Sequence, residues 1–173
     1  MIQACEKVQQ LLQDAGIRVK IDMSDDRPGA KYYRWEMKGV PLRLEIGPRD
    51  LKNGVAVLVR RDTGEKRQAP LENISHEAKE TLKVIQSALF EKAVADMQAR
   101  IFVCSTLEDV NEKLSEGIAL LPWCGDKACG LQIEEEIGAG ILGIPTDQEE
   151  GHKGHCPVCG KDASVKVYVA RKY

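Results

Sequence analysis

Residues 31–66 read KYYRWEMKGVPLRLEIGPRDLKNGVAVLVRRDTGEK, a segment in which one short helix hands over to three strands. Lys31 to Lys38 reads as the helix. Pro41–Ile46 and Val55–Arg61 read as strands, connected through Asp50-Leu51-Lys52-Asn53-Gly54. Asp62-Thr63-Gly64-Glu65 then supplies the turn residues that send the chain back into a third strand, Lys66–Ala69. On the N-terminal side, Ile17-Arg18-Val19-Lys20-Ile21 alternates apolar and charged residues, which predicts a half-buried strand. The turn-rich run Ser24 to Gly29 ends it. Before that, Ile2, Cys5, Val8, Leu11, Leu12 and Ala15 recur at helical spacing, with Gly16 as a left-handed stop.

On the C-terminal side a long helix is expected from Ser75, which can cap it, through Leu82, Ile85, Leu89 and Met97 to Ile101. Leu107–Leu114 reads as a further short helix, and Ile118–Trp123, Ile141–Ile144 and Val165–Val169 as strands. Alternating helices and strands thus give way to strands separated by cysteine pairs, with a boundary near residues 103–117. The expected domains are 1–103 and 104–173, in a chain of α/β class without internal repeats.

The 173 residues are 43% hydrophobic and 30% charged, a composition that buries a core. The longest apolar runs, such as Ile118–Trp123, fall far short of the roughly 20 residues needed to cross a bilayer. MIQACEKVQQ lacks a basic segment followed by an apolar one, so no export signal is expected and a reducing cytoplasm is the default. Between Ile17 and Pro70 thirteen Lys/Arg stand against eight Asp/Glu, a local +5 in a chain of net −2. Such a segment suits a phosphate-binding face as well as it suits an ordinary solvated one. Neither a phosphate-cradling loop nor a dinucleotide glycine fingerprint occurs. His76 sits on a helix without an evident partner, so no nucleophilic triad is expected.

Cys124 and Cys129 form C-x4-C, and Cys156 and Cys159 form C-x2-C in a knuckle where Gly160 can take the required backbone conformation. Two such pairs, separated by twenty-six residues, fit a tetrahedral thiolate site, and zinc suits it because it accepts four sulfurs and closes a small lobe. With every position taken by sulfur, the metal would be structural. A dithiol redox pair and unliganded cysteines are the competing readings. His152 and His155 flank the knuckle and read as solvated, while Cys5 and Cys104 read as small core residues.

Three motifs in order carry a resemblance. Gly39-Val40-Pro41-Leu42-Arg43-Leu44-Glu45-Ile46-Gly47-Pro48-Arg49-Asp50, the preceding Lys31–Lys38 and the following Val59–Lys66 resemble the anticodon-binding domain of class II prolyl-tRNA synthetases of the archaeal and eukaryote-like type. The two cysteine pairs and the terminal Tyr173 are similar to that family's C-terminal zinc domain. The resemblance implies a mixed-sheet anticodon-binding domain of the class IIa type, here lacking its first strand, followed by a small α+β zinc domain. It implies tRNA(Pro) as partner, with Glu36 and Arg43 contacting base edges, Arg49 contacting base or backbone, and Lys31 and Lys66 contacting phosphates. Arginine forks onto guanine O6 and N7, and a carboxylate accepts from its N1 and N2. The alternative for Glu36 and Arg43 is a salt bridge between them.

By the same resemblance the Tyr173 carboxylate approaches the active site, ATP is used only in the catalytic domain, and that domain carries any homodimer. No counterpart of the catalytic domain occurs in this sequence. The expectation is therefore a piece of a longer synthetase that is not catalytic alone. A free-standing zinc-containing RNA-binding or assembly module acting in trans is the alternative.

Overall fold

The computed structural model describes residues 1–148 and 153–171, which fall into two compact units, Met1–Lys92 and Ala93–Tyr173. Tyr173 and His152 lie outside the described residues.

The first unit opens with α1 (Ile2–Asp14), whose apolar stripe buries Val8 and Leu12. Gly16, at φ +79°, ends it: Gly16 N–H bonds Gln13 O and Ile17 N–H bonds Leu12 O, the paired closure of a Schellman turn. α2 (Pro28–Met37) begins three residues before the expected start, because Pro28 occupies the first turn, where its missing N–H costs nothing. There follow β1 (Leu42–Glu45), the short α3 (Pro48–Lys52), β2 (Val55–Arg60), β3 (Lys66–Pro70), a 3-10 turn at Leu71–Asn73, and α4 (Ile74–Gln98). Ser75 does not cap α4. That helix already runs from Ile74, and the Ser75 hydroxyl donates to Leu11 O at 3.0 Å, joining α4 to α1.

β1, β2 and β3 pair antiparallel in that order, with Arg43 opposite Val59 and Val59 opposite Lys66. Because side chains alternate across a strand, Arg43, Glu45 and Lys66 share one face, while Leu44, Leu58, Ala56 and Ala69 share the other. The second set packs with Val8, Leu12, Ile74 and Ala78 as the unit's core.

The expected strand Ile17–Ile21 joins no ladder. It runs without regular structure, with Ile17 and Val19 packed on the core and its backbone unpaired to any strand among the described residues. Alternation sets which side chains face inward, but a strand also needs a neighbour at hydrogen-bonding distance. A groove of about 350 Å³ separates this segment from β1, lined by Val8, Leu12, Val19, Trp35, Leu44 and Ile46 among others. The parallel pairing of this α/β fold is found instead in the second unit.

That unit contains β4 (Ile101–Val103), α5 (Leu107–Lys113), β5 (Ile118–Trp123), α6 (Lys127–Ile137), β6 (Gly140–Gly143) and β7 (Val165–Ala170). The sheet order is β4-β5-β7-β6, parallel only between β4 and β5. Because β4 pairs with β5, a division at 103/104 separates two strands of one sheet. Cys104, Val110, Leu121, Ile133, Val167 and Val169 form its core, so the sequence reading of Cys104 as a core residue agrees with the packing. Thr106 caps α5 by accepting from Asp109 N–H at 3.1 Å, and Asp109 returns the bond to Thr106 N–H. Among the described residues no helix is long and apolar enough to cross a membrane.

Candidate functional site

Two groups of side chains stand out, one in each unit. In the first, α2 places Tyr32 and Glu36 one turn apart on the side facing β1. Arg43 Nη1 donates to Glu36 Oε1 at 2.5 Å and Arg43 Nε to Glu45 Oε1 at 3.0 Å. Its guanidinium lies 3.8 Å from the centre of the Tyr32 ring. Lys66 Nζ stands 3.8 Å from the same Glu45 oxygen. The Arg43 fork is thus held flat by a ring beneath it and two carboxylates, and Nη2 has no protein acceptor among the described residues. Burial and the Glu45 carboxylate push the Tyr32 phenol above its ordinary range, so it stays neutral under the arginine.

Glu36, Arg43 and Lys66 are therefore brought together, and the salt bridge between Glu36 and Arg43 is made. Arg49 stands apart on α3, exposed and without an ion-pair partner among the described residues. Lys31 belongs to a different face of α2, where its ammonium donates to Asp22 O at 3.3 Å. On that face Trp35 is an anchor: its indole N–H donates to Asp22 Oδ2 at 2.7 Å, and Lys38 and Lys20 approach its ring at 4.7 and 5.9 Å. Asp22 also accepts from the Ser24 hydroxyl and amide. These bonds, the Ser24 ones foremost, hold its carboxyl well below the usual carboxylate range. Sequence reasoning missed Tyr32 and Glu45. Their signal was present, since Glu45 lies two residues from Arg43 on a strand and Tyr32 four residues from Glu36 on a helix.

In the second unit Cys124 follows β5, Cys129 lies in the first turn of α6, and Cys156 and Cys159 lie in the knuckle. Their four sulfurs all lie within 4.8 Å of one another, with Cys124 Sγ and Cys159 Sγ at 3.7 Å. A tetrahedral ion with metal–sulfur bonds of about 2.3 Å requires sulfur–sulfur edges of about 3.8 Å, so the donor set fits zinc. The knuckle is closed by Gly160 N–H to Cys156 O at 2.9 Å, with Gly160 at φ +69°, and by Cys156 N–H to Lys161 O at 2.8 Å.

Burial, reinforced by the neighbouring Cys124 and Cys159 sulfurs, pushes the Cys129 thiol up to about 12. Burial opposes ionisation of Cys156 as well, but the backbone amides of Cys159, Cys124 and Val158 draw it down to about 7. Four thiolates in one cluster repel, and a divalent cation is what relieves them, at the cost of displaced protons. His155 pairs with Asp162, Nδ1 to Oδ1 at 3.2 Å, at an exposed position.

The anticodon binding domain family model matches residues 1–81, and the model for the prolyl-tRNA synthetase C-terminal domain matches residues 107–173. The chain belongs to the prolyl-tRNA synthetase family. A synthetase relative, the proline-tRNA ligase of Methanococcoides burtonii, is 58% identical over 173 residues, covering 100% of this chain and 36% of its own length. That of Thermococcus kodakarensis is 46% identical over 169 residues, covering 94% of this chain and 35% of its own. The crystal structure of the prolyl-tRNA synthetase from Cryptosporidium parvum, complexed with halofuginone and AMPPNP, superposes with a TM-score of 0.93 at 34% identity. It covers 99% of this chain and 36% of that one. The chain thus spans about 36% of the length of these synthetases, as their anticodon-binding and C-terminal domains.

Proposed function

We propose that this chain reads the anticodon of tRNA(Pro) for a cytoplasmic prolyl-tRNA synthetase and carries a structural zinc ion in its C-terminal domain. The observation that carries the reading is the Arg43 fork, supported by Tyr32, Glu36 and Glu45 and with Nη2 left to donate. Arg43 would meet guanine O6 and N7, and Glu36 would exchange Arg43 for the N1 and N2 donors of the same or the adjoining guanine. Both groups are pre-oriented by their pairing, so little side-chain entropy is lost on binding. Arg49, exposed, supplies a base or backbone contact, and Lys66, also exposed, and Lys31 supply phosphate contacts.

Cys124, Cys129, Cys156 and Cys159 would hold the zinc, which supplies a cross-link between the β5–α6 turn and the knuckle and no reaction chemistry. The anticodon-binding domain is taken to end, and the zinc domain to begin, within α4, since a boundary at 103/104 would part β4 from β5. Activation of proline with ATP belongs to the catalytic domain of the whole enzyme, which is this chain's partner and the site of any homodimer.

The test is binding of a proline anticodon stem-loop against one with both shared guanines changed, over a salt series. Guanine-dependent binding is expected. Equal binding of the two RNAs at every salt concentration would remove anticodon reading from this chain.

A further inference from the structure

The four clustered sulfurs do not share one exposure. Cys156 and Cys129 are buried, at 1% and 8% exposed, Cys124 is half-buried, and Cys159 alone is exposed. A thiolate reacts only where the reagent can reach it, and buried structural cysteines are inert. The other three sulfurs all lie within 4.8 Å of Cys159, and Cys124, Sγ to Sγ at 3.7 Å, is the one of them that is not buried. Loss of Cys159 from the donor set leaves three sulfurs, and loss of Cys124 with it leaves two, too few for a closed tetrahedral site.

We infer that Cys159 is an oxidative modification site: a hydroperoxide attacks its exposed sulfur, Cys124 resolves the product into a disulfide, and the metal is released. The inference rests on the metal-site reading above. The Cys159 thiolate gives an electron pair to the distal peroxide oxygen, the O–O bond breaks, and a sulfenic acid and an alcohol, or water, are formed. The Cys124 thiolate then attacks the Cys159 sulfur, the S–O bond breaks, and hydroxide leaves. Two thiolates are oxidised by two electrons and one peroxide is reduced. Cys129 and Cys156 remain reduced and cannot retain the ion alone.

The experiment uses the full 173-residue chain loaded with zinc, its metal content measured before oxidant is added. Hydrogen peroxide is then titrated in, with zinc release followed by a chromogenic chelator and cysteine states mapped by alkylation and mass spectrometry. Zinc is expected to leave in step with a Cys124–Cys159 disulfide, one ion per disulfide, whatever happens at Cys5. Cys159→His, which keeps a fourth ligand but offers no sulfur there, is expected to hold its zinc at peroxide levels that empty the parent chain. As a check independent of that variant, limiting maleimide on the parent chain should place its first adduct among the four on Cys159. First modification of Cys129 or Cys156, or zinc loss without the Cys124–Cys159 disulfide, overturns the inference. A chain that takes up no zinc at the outset overturns the metal reading itself, and the inference with it.

Discussion

Replacing Arg43 separates the recognition proposed for it from the support it gives its neighbours. Its guanidinium lies over Tyr32 at 3.8 Å, and such contacts contribute about 0.5–1 kcal/mol when partly exposed. Its bonds to Glu36 and Glu45 are half in solvent, with Glu36 45% exposed, so each ion pair contributes only about 0.2–1 kcal/mol. Arg43→Ala should therefore cost the first unit about 1–3 kcal/mol of stability, the scale of these contacts combined. Lost guanine contact costs about 1–3 kcal/mol, or roughly 5- to 150-fold in affinity. Arg43→Lys distinguishes the two effects. It keeps a cation over Tyr32 and beside the carboxylates but cannot fork onto O6 and N7. The expected outcome is a urea midpoint near the parent's for Lys, a lower one for Ala, and a loss of discrimination between the guanine-bearing and guanine-changed stem-loops for both. Unchanged discrimination in the Lys variant, measured by fluorescence anisotropy at fixed salt, would falsify the fork as a reader and leave the Glu36–Arg43 bridge purely structural.

Chelation of metal should unfold the second unit and leave the first, whose core contains no cysteine ligand; identical melting curves with and without chelator would contradict this. Gly117→Ala should destabilise the second unit by roughly 1–3 kcal/mol, since a Cβ there would stand 2.1 Å from Arg100 O and the β4–β5 approach must open; an unaltered denaturation midpoint would count against the close contact. The depressed Asp22 carboxyl contributes stability that is complete above its unfolded value near 3.8 and is lost as pH falls through the lower folded value. Asp22→Asn should accordingly flatten the acid limb of the first unit's stability curve below about pH 4, an expectation that fails if the two chains lose stability in parallel.

Local signals were legible wherever one residue type has one physical use. Gly16 closes α1 because only a residue without Cβ enters φ +79° freely, and the periodicity of residues 2–15 located that helix. The antiparallel run β1-β2-β3 followed from alternation and from Asp62-Thr63-Gly64-Glu65. α6 escaped because Cys124 and Cys129 read as a ligand pair, which left the periodicity of the residues after them unread. Its helical signals were nevertheless there: Asp126 accepting from Ala128 N–H at 2.8 Å, Ile133 and Ile137 one turn apart, and Gly138 in the left-handed region. β4 escaped because three residues carry no period, and only pairing with β5 makes them a strand.

The sequence by itself determined the family, the α/β class, the four sulfur ligand candidates and three members of the Arg43 site, Glu36, Arg43 and Lys66, because motifs, spacing and residue chemistry are written along the chain. Tertiary structure decided what those residues do to one another. It set Arg43 between Glu36 and Glu45 over Tyr32, turned Lys31 and Trp35 toward Asp22, and left Cys159 the exposed sulfur of a cluster otherwise buried or half-buried. It also left Ile17–Ile21 without a ladder. Exposure and pairing are properties of neighbours distant in sequence, and a pattern of residues fixes which faces turn inward without fixing what meets them there.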